Sequence, residues 1–160
     1  MNFKELFNKY ELKDIKLNMK FASLEFKPNT DDKDAAWELY VELITRIVTQ
    51  HLKWEDGDEK TALDSIYSLF PTTRDILKRR GRKCIEFSKI AVTVLNQVIR
   101  PFTAKWHKKE LKGAFNDEKE CIAFRGELEN LQEDLRKYVK LLAGIAEVED
   151  ITCLSDVDAQ

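Results

Sequence analysis

Apolar side chains at positions 121, 124, 128, 131, 135, 138, 142 and 145 alternate three and four residues apart without a break. Only a helix gathers such positions into one stripe. This run, inside a helix predicted from about Asp117 to Ala146, is the strongest constraint on the fold. It fits a seam inside a bundle, and it also fits a coiled coil between two copies of the chain through 121–145. Short loops elsewhere favour the bundle. Five glycines and three prolines in 160 residues are too few for the tight turns of an all-β sandwich or barrel. The expectation is an all-α fold, an antiparallel bundle of four to five helices over 30–150. A short N-terminal arm (1–29) precedes it and an acidic flexible tail (151–160) follows.

The arm combines two patterns. Phe3, Leu6, Phe7 and Tyr10 form a helical stripe, whereas Ile15 to Phe21 alternates apolar with polar residues and predicts a strand or hairpin. The first bundle helix, capped by Thr30 or Asp31, is predicted over Asp32 to Leu52, with Trp37, Tyr40, Val41, Ile44, Ile47, Val48 and His51 on its apolar stripe. A turn follows at Glu55 to Asp58. The second helix carries Ala62, Leu63, Ile66, Tyr67 and Phe70 and is interrupted at Pro71. Thr72 with Asp75 opens a short helix that ends at Gly81. Lys83 to Ile99 is apolar around most of its circumference and is expected to be the most buried helix. Pro101 should break or kink it before Phe102 to Lys112 resumes.

Charge is unevenly placed. Between Arg74 and Lys112 stand twelve Lys/Arg against three acids, a local charge of +9 in a chain of net −2. Two clusters within this stretch are candidate contacts for a protein partner or for nucleic acid. One is Arg79, Arg80, Arg82 and Lys83; the other is Lys105, Trp106, Lys108 and Lys109. The first could equally serve as a cationic helix C-terminus facing water. Trp54 and Trp106 are the expected exposed aromatics of a partner surface.

No segment approaches the roughly 18 apolar residues that a membrane span requires, and the N-terminus lacks the pattern of a secretory signal. A cytoplasmic protein is expected. Cys84, Cys121 and Cys153 form no close pair, so neither a disulfide framework nor a zinc knuckle is indicated. With two histidines and no phosphate-cradling or calcium-loop pattern, no metal and no cofactor are expected.

Arg100 and His107 are the candidate catalytic pair. Seven helical residues turn through about 700°, within about 20° of two full turns, which places both on one face roughly 10 Å apart. The spacing resembles the Arg-x4–6-His signature of the HEPN ribonucleases, small all-α domains that act on RNA without metal. That resemblance implies His107 as general acid or base on the ribose 2′-hydroxyl and Arg100 as stabiliser of the developing charge. Pro101 departs from the polar residue usual after the arginine, and Arg46 with His51 fits the same spacing.

A second resemblance is carried by Asp56-Gly57-Asp58-Glu59-Lys60-Thr61-Ala62-Leu63-Asp64-Ser65-Ile66-Tyr67-Ser68-Leu69-Phe70-Pro71 and by Val94-Leu95-Asn96-Gln97-Val98-Ile99-Arg100-Pro101-Phe102-Thr103-Ala104-Lys105-Trp106-His107. Both blocks look like those of small helical proteins encoded in bacterial anti-phage and conflict operons. The likeness covers most of Asp31 to Thr152. It implies an accessory or effector-associated subunit working with a larger partner and no known active site. The expected function is a non-enzymatic interaction subunit with a larger protein partner; the alternatives are a HEPN-like ribonuclease and a nucleic-acid-binding module acting through segment 74–112.

Overall fold

A computed structural model describes residues 1–55 and 58–155. They form helices α1 (Phe3–Lys9), α2 (Met19–Ala22), α3 (Thr30–Ile44), α4 (Glu59–Tyr67), α5 (Leu69–Arg80), α6 (Ile85–Val94), α7 (Arg100–Leu111) and α8 (Glu118–Ala146). The fold is all-α: among the described residues the only β pairing is an isolated bridge between Asn2 and Glu25. The turn expected at Glu55 to Asp58 lies partly outside the described residues, as do residues 156–160 of the expected tail. No helix among the described residues is long and apolar enough to cross a membrane.

The eight positions of the three-four stripe are all buried, and α8 packs chiefly on α3. The stripe is therefore packed within the chain, as a seam inside a bundle requires. α3 and α8 run antiparallel, since Lys33 pairs with Glu147 (2.6 Å) while Gln132 reaches back to the segment after α3. This makes α8, with α3, the centre of the molecule. The expected central helix is more peripheral, for Ile85 and Val92 on α6 face solvent.

α3 departs from expectation at both ends. Its cap is Asn29, whose side chain accepts from the Asp32 N–H (3.0 Å) while the Asp32 carboxylate accepts from the Asn29 N–H (2.9 Å). It stops at Ile44, not Leu52. Thr45 turns its hydroxyl back onto the Val41 carbonyl (2.7 Å), the local competition that weakens helix continuation. The carbonyls beyond find partners on α8: Gln132 Nε2 donates to Ile47 and Gln50, Arg136 Nε to Thr49, and Arg125 Nη1 to Lys53. Residues 45–55 are thus an ordered loop laid on α8.

Two prolines sit differently from the expectation. The α4–α5 break falls at Ser68, and Pro71 lies within the first turn of α5, where a missing N–H has no intrahelical partner to lose. Pro101 does not end its helix either. A π-turn over Leu95–Ile99 joins α6 to α7, with Arg100 N–H donating to the Leu95 carbonyl. The wider turn relieves the clash a proline ring makes with the carbonyl four residues before it. Gly81 does end α5 as expected, at φ 68°.

The expected strand is replaced by an extended stretch at 15–18 leading into α2. Its alternation is real: Ile15 and Leu17 pack on the core. Its partner is one side chain of the π-turn, Gln97, which accepts from the Lys16 N–H and donates to the Lys16 carbonyl, both at 2.8 Å. At the other end of the chain, Ile151 N–H donates to the Tyr40 hydroxyl (2.8 Å), fixing that segment on α3.

One buried group is unsatisfied. The Tyr138 hydroxyl has no hydrogen-bond partner among the described residues, and burial pushes its pKa well above the usual phenol range. Replacing an orphaned buried hydroxyl by hydrogen removes its desolvation cost. Tyr138→Phe is expected to stabilise the protein by about 1 kcal/mol in urea unfolding; a loss of stability would show that the hydroxyl is bonded in solution.

Candidate functional site

The basic run lies at the corner where α5 ends. Arg79 and Arg80, in the last turn of α5, both reach Glu38 on α3. Arg79 Nη2 donates at 2.6 Å and Arg80 Nε at 2.9 Å; Asp75 accepts from Arg79 (3.3 Å) and Asp34 from Arg80 (3.2 Å). The Arg79 hydrogen bond holds the Glu38 carboxyl below the usual carboxylate range. These two arginines, expected to be free for a partner, are largely engaged in joining α5 to α3. Arg82 and Lys83 remain exposed, with no ion-pair partner among the described residues. They line, with Asp31 and Gly81, an open groove of about 610 Å³.

Arg79 also borders a second groove of about 280 Å³ between α3 and α5, lined by Trp37, Val41, Thr72 and Ile76. Trp37 is 44% exposed and stacks on Tyr40 at 5.7 Å. Spacing alone puts Trp37 and Val41 on the buried stripe. The buried face of α3 is instead Asp32, Ala35, Ala36, Leu39, Tyr40 and Leu43, a second stripe that the spacing of its alanines and leucines made available. The rotation leaves an indole, a valine and an arginine on one accessible face.

The second basic cluster is not a surface of the expected kind. Trp106 is fully buried, a correction to its expected exposure: it is enclosed by Phe115 and Phe124, and its Nε1 donates to Glu127 (2.9 Å). Burial raises the Glu127 pKa, but hydrogen bonds from Lys105 and Trp106 outweigh it and leave the carboxyl below its ordinary value. Lys105 pairs with Glu127 and Lys109 with Glu120 (2.8 Å), both ammonium groups lying over the indole. Lys108 alone of the three lysines is exposed without an ion pair among the described residues. Trp54 is exposed, with the Arg125 guanidinium 4.5 Å from its ring centre.

Arg100 and His107 do share a face of α7, and two aromatic rings stand between them. The Arg100 guanidinium lies 4.7 Å from the centre of Phe70, which is 5.6 Å from Tyr67, which in turn meets His107 edge-on at 5.0 Å. Arg100 Nε donates to Asn96 (3.0 Å). Arg46 and His51 are not brought together: Arg46 bonds Glu42, Ser68 and Thr72, while His51 lines a groove with Trp54. Among the described residues no group of three or more His, Cys, Asp or Glu is placed to hold a metal ion. Cys84 and Cys121 are buried free thiols, and Cys153 is exposed.

Compared with known proteins, the chain matches no family model, no curated protein and no solved structure.

Proposed function

We propose that this chain is a non-enzymatic interaction subunit that docks a larger protein partner on the α3–α5 face. The observation that carries the reading is a tryptophan turned out of the core beside an arginine. Such residues dominate binding energy at protein interfaces. Because Glu38 already engages Arg79 and Arg80, the cations left free at the corner after α5 among the described residues are Arg82 and Lys83. The fitting partner therefore presents an apolar side chain to Trp37 and Val41 and carboxylates to the corner beyond. The likeness of the 56–71 and 94–107 blocks to anti-phage accessory proteins supports a cytoplasmic bacterial defence assembly as the setting.

The test is affinity purification of the tagged protein from its native host, with mass spectrometry of what co-elutes. Trp37→Ala is expected to weaken capture of the partner about 30-fold, the effect of losing about 2 kcal/mol. Arg82→Glu with Lys83→Glu should slow its association in a salt-dependent way. A co-eluting set unchanged in both variants, with their helical spectra intact, would overturn the reading.

A further inference from the structure

The two edges of α7 treat their charges differently. Toward α8, Lys105 and Lys109 are neutralised by Glu127 and Glu120. Toward α4 and α5, Arg100 keeps its terminal amino groups without an acceptor among the described residues, Nε alone being bonded. The Phe70 ring lies against that guanidinium, its centre 4.7 Å away, in a cation–π contact. Next in the row stands Tyr67, 47% exposed although it touches both Phe70 and His107. Lys108, directly after His107 and also unpaired among the described residues, stands about 100° further round α7 and outside this row. Asp64, one turn before Tyr67 on α4, is engaged by Lys60 (3.5 Å) and so offsets little of this charge.

An exposed aromatic ring braced by its neighbours, close to a guanidinium whose terminal amino groups are free among the described residues, has the chemistry of a single-stranded nucleic-acid contact. Each base stacked on such a ring contributes about 1–3 kcal/mol whatever its identity, and cations track the backbone. Phe70 separates the Arg100 guanidinium from Tyr67 by one ring, which leaves Arg100 to take the phosphate next to a base stacked on Tyr67. The more obvious basic run lacks the ring: Glu38 takes up Arg79 and Arg80, and no aromatic ring lines the corner where Arg82 and Lys83 stay free. We propose that Tyr67 and Arg100 form a binding site for single-stranded nucleic acid, with a base stacked on Tyr67 and the neighbouring phosphate held by Arg100. The site is separate from the α3–α5 face and stands whether or not that face binds a protein.

Fluorescence anisotropy with short labelled oligouridine and oligothymidine tests it on the intact chain. Binding is expected to weaken steeply with added salt. Tyr67→Leu should weaken it about 5-fold or more, Tyr67→Phe should preserve it, and Arg100→Gln should both weaken it and flatten the salt dependence. Trp37→Ala should leave it unchanged, which separates this site from the protein-docking face. Tighter binding of oligouridine would make RNA the ligand and tighter binding of oligothymidine DNA. Melting curves establish that each variant is folded. Absence of salt-sensitive binding, or equal affinity in folded Tyr67→Leu and Arg100→Gln, would overturn the proposal.

Discussion

Asp32→Ala is expected to remove about 1.5–5 kcal/mol of folding stability, a large part of the roughly 5–15 kcal/mol available to a domain. The side chain is fully buried, and each of its oxygens has a task. Oδ2 accepts from the Asn29 N–H (2.9 Å) in the cap of α3, whereas Oδ1 accepts from the Phe87 N–H (2.9 Å) in the first turn of α6. One carboxylate therefore serves two helix N-termini, whose dipoles both favour its charge. Asn29 completes the clamp by donating from Nδ2 to the Lys83 carbonyl (2.8 Å). Alanine strands a buried N–H, at about 1–3 kcal/mol, and abolishes the capping box, at about 0.5–2 kcal/mol. Urea unfolding should show a lower midpoint at unchanged slope. Asp31→Ala, one residue away and outside the clamp, should lose no more than about 1 kcal/mol. Equal losses in the two variants would mean that Asp32 is no more than a first-turn acid.

The Asp32 clamp also shows where the sequence stops being legible. Helical spacing identifies local faces, so the stripe from Cys121 to Ile145 stands out from residue spacing alone, and it is buried throughout. Long-range hydrogen bonds have no such signature. Nothing near Asp32 announces Phe87, 55 residues on. Charge counting finds Arg79 and Arg80 but not Glu38, about forty residues earlier, and so mistakes a helix-joining network for a free surface. Trp37 fails for another reason. α3 carries two overlapping apolar stripes, and the one with small residues wins because alanines let α8 approach closely. The same limit applies to Arg100 and His107. Helix arithmetic places them on one face; only the packing of α4 and α5 against α7 inserts Tyr67 and Phe70 between them. Trp106 reads as a surface anchor among lysines, yet those lysines lie over a buried ring and pair with α8.

Leu135→Asp is expected to unfold the protein at neutral pH. Leu135 sits midway along α8 with no exposed surface, in the core cluster that α3, α6 and α7 also enter. A carboxylate there loses its hydration and gains no partner, a cost of several kcal/mol on top of the packing lost with the leucine. Leu135→Ala loses the packing alone, about 2–5 kcal/mol, and should remain folded with a lower melting temperature. Lys140→Asp places the same carboxylate on an exposed position of the same helix and should leave the fold intact. The series separates burial from charge. It also separates an internal seam from one between chains, because breaking an intermolecular seam would release helical monomers instead of unfolded chains. Far-ultraviolet circular dichroism with sedimentation velocity reads both properties. A Leu135→Asp protein that is helical and monomeric at neutral pH would contradict the placement of α8 at the centre of the fold.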